Sequence, residues 1–197
     1  MHARVLRSAD YRRMRWKNGG GWTTELAAFP ADAPAFDWRV SIAQIDADGA
    51  FSPFPGCDRH IALLEGHGMV LHLDDAEPVR LDQRLRFVPF AGEASAHGKL
   101  LAGPVRDFNV MVRRDACRAE VLVRPLVGPM VFLPEDATWF VYLASGTATL
   151  KSADTAQALE AGDSALLLPD SGNQRVVIDG GGEVIIAKFV PASRQPR

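Results

Sequence analysis

Hydrophobic and polar positions alternate with a period of two along most of this chain. Trp38, Val40 and Ile42 alternate with Arg39, Ser41 and Ala43, which predicts a strand with one apolar face and one face presenting Arg39 and Ser41. Met69, Leu71 and Leu73 alternate with Val70 and His72, and Phe108, Val110 and Val112 alternate with Asp107, Asn109, Met111 and Arg113. Residues 139–143, 165–168, 176–178 and 184–190 are further β-rich runs bounded by Gly, Pro, Asp or Asn. Helical spacing is weak, with room for a short turn only at residues 116–123 or 153–159. The pattern predicts an all-β protein.

A repeat overlies this pattern. Leu63-Leu64-Glu65-Gly66 precedes a strand, a turn and an apolar run ending in Pro89; Leu143-Ala144-Ser145-Gly146 precedes the same sequence of features ending in Pro169. Gly66 and Gly146 stand 80 residues apart, as do Pro89 and Pro169. Two equal intervals predict a duplicated β-sandwich or barrel. The division expected is 1–115 and 116–197, with room for N-terminal strands to cross over.

Composition narrows the function classes. Among 197 residues, 22 Lys and Arg against 24 Asp and Glu leave a net charge of -2, so no strong field draws nucleic acid or an anionic membrane. The cations Arg4, Arg7, Arg12, Arg13, Arg15 and Lys17 read as a solvated edge rather than a nucleic-acid arm. No apolar run approaches a membrane span, and the Arg-rich start carries no secretory pattern. Two cysteines, Cys57 and Cys117, make no disulfide framework, and a cytoplasmic location is the expectation.

The order strand, Gly, strand, Gly-Asp, strand, Pro resembles the cupin fold, a small jelly-roll barrel that often holds a metal through G-x5-H-x-H-x3-4-E-x6-G. With Gly66 as the closing glycine, Arg59 stands at the Glu position and Pro53 and Pro55 at the His positions. Gly146 likewise places Trp139, Glu135 and Leu133 there. Proline offers no ligand atom and a guanidinium repels a cation, so no metal and no cofactor are expected. The five histidines, His2, His60, His67, His72 and His97, lack H-x-H spacing; His60, beside Arg59, is the candidate for acid–base work.

Four segments carry a closer resemblance: residues 14–26 (MRWKNGGGWTTEL), 37–43 (DWRVSIA), 49–59 (GAFSPFPGCDR) and 103–111 (GPVRDFNVM). Their order and spacing resemble the HutD/Ves family. The resemblance implies a bicupin, two jelly-roll-type β-barrels packed as one compact unit. It also implies a regulator or sensor of bacterial histidine utilisation that binds an anionic intermediate of the urocanate or formylglutamate type. Two alternatives stay open: a metal-independent cupin isomerase or hydrolase with His60 or Asp107 carrying the proton, and an interaction module with a vestigial pocket. The partner expected is a small anionic metabolite, with no nucleic acid and no membrane; a homodimer is left open.

The residues themselves supply an anion-binding reading. Gly19, Gly20 and Gly21 after Lys17 and Asn18 read either as an anion-binding nest or as a tight turn. Arg39 and Arg59 can each fork onto a carboxylate, though Arg39 also reads as a solvated strand position and Arg59 as an ion-pair partner of Asp58 or Glu65. Asp107 and Asn109, two residues apart, share a strand face and can hold Arg59 or a ligand. Trp16 completes the candidate pocket, and Ser41 shares the polar face of Arg39.

Overall fold

The protein is described here by a computed structural model covering residues 1–16, 19–31, 33, 35–153, 155–170 and 174–192. The strands, in chain order, are β1 (His2–Leu6), β2 (Arg12–Arg15), β3 (Gly21–Phe29), β4 (Trp38–Ile45), β5 (Gly49–Ala50), β6 (Cys57–Glu65), β7 (Met69–Leu73) and β8 (Val79–Leu81). They continue with β9 (Val88–Ala91), β10 (Ala96–Leu100), β11 (Val105–Arg113), β12 (Cys117–Phe132), β13 (Thr138–Ser152), β14 (Thr155–Glu160), β15 (Ser164–Leu168) and β16 (Val176–Pro191). Among the described residues the one helical element is a 3-10 turn at Ser8–Asp10. No helix there is long and apolar enough to cross a membrane.

The chain divides into two units, Arg12–Cys117 and Met1–Tyr11 with Arg118–Arg197. The boundary after Cys117 lies two residues beyond the one expected, and the first eleven residues join the C-terminal unit. β1 pairs antiparallel with β15, from His2 opposite Leu168 to Leu6 opposite Ser164. Asp163 anchors the end of that strand, accepting from the Ser8 N–H at 2.8 Å and from Arg7 Nη1 at 2.9 Å.

In the Arg12–Cys117 unit, a six-stranded sheet runs β2-β3-β4-β11-β6-β9, and a four-stranded sheet runs β5-β10-β7-β8. Side chains of both close one core: Ile45, Ile61, Leu63 and Val105 from the larger sheet, Met69, Leu71, Leu81 and Ala96 from the smaller. Trp38, Val40, Ile42, Phe108, Val110 and Val112, on the opposite face of β4 and β11, are buried as well. Strands buried on both faces explain why these segments are so apolar while their inward face still carries Arg, Ser, Asn and Asp.

The other unit is built on the order β1-β15-β13-β16-β12, with β14 also pairing β13. The 80-residue repeat has a structural counterpart: β6 lies between β9 and β11, and β13 lies between β15 and β16. Gly66 and Gly146 both take positive φ, +100° and +89°. The segments at 116–123 and 153–159 are strand from Cys117 and from Thr155, not helical turns. The two runs at 176–178 and 184–190 are one strand: Gly180–Gly182 stay paired, opposite Ala148, Thr147 and Gly146, and the register shifts just beyond them, where Leu143 and Ser145 face Val184 and Glu183. A Cβ on Gly182 would stand 1.9 Å from the Ser145 carbonyl oxygen, so only glycine permits that approach.

Candidate functional site

Three neighbouring strands bring together residues remote in sequence. Met111 of β11 lies opposite Arg39 of β4 and Arg59 of β6; Asn109 lies opposite Ser41 and Ile61; Asp107 lies opposite Ala43 and Leu63. Successive side chains on a strand point to opposite faces, so these nine residues line one face in three rows. The Ala43 and Leu63 end belongs to the apolar core. Toward the other end the rows open into a cavity of about 560 Å³, lined by Arg39, Ser41, Ala43, Arg59, Asn109 and Met111 of these strands. Arg15, Trp16, Thr23 and the segment from Ala50 to Ser52 with Phe54 complete its wall.

Arg59 is the centre of the site. Only 5% of it is exposed, and its Nη2 donates to Asn109 Oδ1 at 3.0 Å. Nη1 makes a long contact of 3.4 Å to the Ser52 carbonyl oxygen, and Nε is buried with no partner. The guanidinium lies 4.8 Å from the Phe90 ring centre, 5.5 Å from Phe54 and 5.6 Å from Phe51. These rings replace water with their negative faces, which offsets part of the desolvation of the charge. Burial draws the Arg59 pKa down to about 10, with nearby Asp107 opposing that shift and Arg39 adding to it. Arg59 is therefore a cation at neutral pH, and no carboxylate among the described residues pairs with it; Asp58 and Glu65 pair instead with Arg114 and Arg106.

Behind Arg59 lies Asp107, fully buried. Its Oδ1 accepts from Asn109 Nδ2 at 2.8 Å and its Oδ2 has no partner. Burial pushes this carboxyl up to about 7, against the smaller opposing pulls of the Asn109 hydrogen bond and the Arg59 charge.

Arg39 is not a solvated position. It is half-buried, and its Nε donates to Glu25 Oε2 at 2.7 Å, which neutralises much of its charge. The Trp16 indole donates from Nε1 to Thr23 Oγ1 at 2.8 Å, holding its ring against the cavity. Gly21 makes room for it: a Cβ there would stand 3.1 Å from the Trp16 ring and 2.2 Å from the Gln44 carbonyl oxygen. Gly19 and Gly20 form the turn between β2 and β3, where the Gly19 N–H donates to the Trp16 carbonyl at 3.1 Å and the Gly20 carbonyl accepts from the Asp46 N–H at 3.0 Å. Lys17 and Asn18 lie outside the described residues.

The structure does not bring His60 to the cavity. It follows Arg59 on β6 and so faces the other way, half-buried, its pKa lowered by desolvation. The sequence reading missed Arg15, Thr23, Phe51, Ser52, Phe54 and Met111. All six lie within the four segments that carry the family resemblance, which is the signal that could have found them.

The site does not suit a divalent cation. Among the described residues no three His, Cys, Asp or Glu side chains stand close enough to hold one, and the cavity is centred on a guanidinium. In the C-terminal unit the equivalent rows read differently: Trp139 opposite Lys188, Val141 opposite Ile186, Leu143 opposite Val184. Where the first unit has Arg59, Asn109 and Asp107, the second has Trp139, Ile186 and Val184. The Phe132 ring packs edge-on against Trp139 at 5.4 Å, and Lys188 lies 4.8 Å over it. The polar chain is confined to the N-terminal unit.

Fold and site together define a cupin-like all-β protein with a cation-centred cavity. The fold is shared with the Escherichia coli protein YlbA of family DUF861 (TM-score 0.76, 8% identity, 99% of this chain and 93% of that one). It is also shared with the E. coli bacterial pirin YhhW solved with nickel(II) (TM-score 0.68, 10% identity, 96% and 99%). The HutD family model matches residues 8–186, and the chain belongs to the HutD family. It is similar to the structure of HutD from Pseudomonas fluorescens SBW25, with TM-score 0.82 and 30% identity over 98% of this chain and 100% of that one. Over 118 residues it is 42% identical to an uncharacterized 21.2 kDa protein in the hutC 3' region of Pseudomonas putida, covering 59% of this chain and 62% of that one. Protein Ves of Citrobacter koseri is also 42% identical over 118 residues, covering 58% and 61%. The chain thus spans about three-fifths of the length of these curated relatives.

Proposed function

We propose that this protein binds a small anionic intermediate of histidine breakdown, of the urocanate or formylglutamate type, and acts as a cytoplasmic sensor or regulator rather than an enzyme. The observation that carries the reading is the buried Arg59 cation, which lines a cavity and has no carboxylate partner among the described residues. A buried charge without a counter-ion is costly, and a ligand carboxylate supplies that counter-ion through charge-assisted hydrogen bonds. The cavity is of the size that holds small metabolites. A relative from the hutC 3' region supports the metabolic setting. Binding is favoured over catalysis by the wall itself. None of its side chains among the described residues is a His, Asp, Glu, Cys, Lys or Tyr, so none of those described offers a general base to a bound molecule.

Titration calorimetry of the purified protein with urocanate, formylglutamate and glutamate tests the reading. One of the first two should bind and stabilise the fold by about 2.7 kcal/mol at 100 times its Kd. Absence of binding by both at millimolar concentration overturns the ligand class. Conversion of either compound in the same samples, followed by NMR, would replace the sensor with the enzyme.

A further inference from the structure

Asp107 stands one side chain behind Arg59, and the link between them has a direction. A guanidinium can only donate, so the Asn109 oxygen must face Arg59. The Asn109 NH2 group then has to face Asp107, where it donates to Oδ1 and leaves Oδ2 buried and unpartnered. Around Asp107, β4 contributes Ala43 opposite it and Ser41 and Arg39 farther along, and β6 contributes Leu63 and Arg59. On β3, Glu25 is engaged with Arg39, and the core side chains of β7, Met69 and Leu71, are apolar. Arg59 is the charge that bears on Asp107.

We propose that Asp107 is a positioning residue whose proton is coupled to occupancy of Arg59, so that a proton on Asp107 and an anion on Arg59 favour one another. This rests on the reading of the cavity as an anion site. An ionised Asp107 offsets the Arg59 charge, and an incoming anion then meets a nearly neutral pair. A protonated Asp107 leaves the guanidinium uncompensated. In return, an anion seated on Arg59 cancels the field that helps Asp107 ionise, and burial then favours the neutral acid. The empty hydrogen-bonding position at Oδ2 agrees with a carboxyl that is not held as an anion by its surroundings. Burial has already moved the Asp107 carboxyl up to about 7, so both forms are accessible near neutrality.

Carbon-13 NMR of the aspartate carboxyls, with Asp107 identified by its loss in Asp107→Asn, tests the coupling. The expected midpoint lies near neutrality in the parent and rises by about one pH unit or more in Arg59→Met and with saturating formylglutamate. Titration of Asp107 in the ordinary carboxylate range, or a midpoint indifferent to Arg59→Met, overturns the proposal. A second arm serves should Arg59→Met fail to fold. Formylglutamate affinity should weaken about tenfold from pH 6 to pH 8 in the parent and stay flat in Asp107→Asn. A merely structural Asp107 would instead lower the variant's affinity equally at both pH values, which also overturns the coupling. Should urocanate be the one that binds, it takes the place of formylglutamate in both arms; if neither binds, the anion-site reading fails, while the comparison of parent with Arg59→Met still decides whether Asp107 and Arg59 are linked.

Discussion

Arg59 and Asn109, fifty residues apart in the chain, meet at 3.0 Å because β6 and β11 are neighbours in one sheet. The pair is not a salt bridge. A neutral amide orients the cation without cancelling its charge, which leaves the guanidinium free to bind an anion from the cavity.

Replacing Arg59 by Met keeps the apolar stem among Phe51, Phe54 and Phe90 and deletes the charge. Hydrogen bonds to charged groups are worth about 1.5–3 kcal/mol each, so Arg59→Met should weaken anion binding by roughly 10- to 100-fold while the fold persists. Calorimetry together with circular dichroism checks both halves; parental affinity in a folded variant removes Arg59 as the anchor.

Asn109→Asp sets an internal counter-ion where the amide now stands. The new carboxylate would pair directly with Arg59 and compete with any ligand, so anion affinity should fall at least about tenfold. The measurement is the same titration, and undiminished binding by this variant would show that the Arg59 charge is not what the ligand meets.

The folded pKa of Asp107, about 7, lies above its ordinary value of 3.8, so the native state holds this proton more tightly than the unfolded chain. The stability it contributes is complete below about pH 4 and is lost as pH rises through 7, with a slope of up to about 1.4 kcal/mol per pH unit. Urea unfolding at pH 5 and pH 8 should show this decline in the parent and a smaller one in Asp107→Asn. Equal declines in the two proteins would mean Asp107 ionises without cost.

Gly21→Ala places a methyl 2.2 Å from the Gln44 carbonyl oxygen, a backbone atom that cannot yield cheaply, and 3.1 Å from the Trp16 ring. A loss of about 1–3 kcal/mol is expected, with Trp16 displaced from the cavity wall. Denaturant unfolding and tryptophan fluorescence read the two effects; a variant as stable as the parent, with unchanged emission, would show that this approach is not as close as described.

What could be read along the chain was what depends on neighbours in sequence. The alternation of Trp38 to Ala43 and of Asp107 to Arg113 marked β4 and β11 and the residues sharing each inward face. The glycines at 66 and 146 marked the repeat because positive φ is a local demand. Even His60 was separable from Arg59 by that reasoning, since adjacent strand residues face opposite sides.

Period and turn chemistry are local properties, and the sequence by itself therefore determined the all-β class, most of the strands, the 80-residue repeat of glycine and proline, and the cation at residue 59. Register between strands is a long-range property, decided by which pairing lets all strands bury their apolar faces at once. Only the tertiary structure could set Met111 between Arg39 and Arg59, bind Arg39 to Glu25, and place Asp107 behind Asn109. Only it could carry β1 into the C-terminal unit, because the partner that buries that strand lies some 160 residues away at β15.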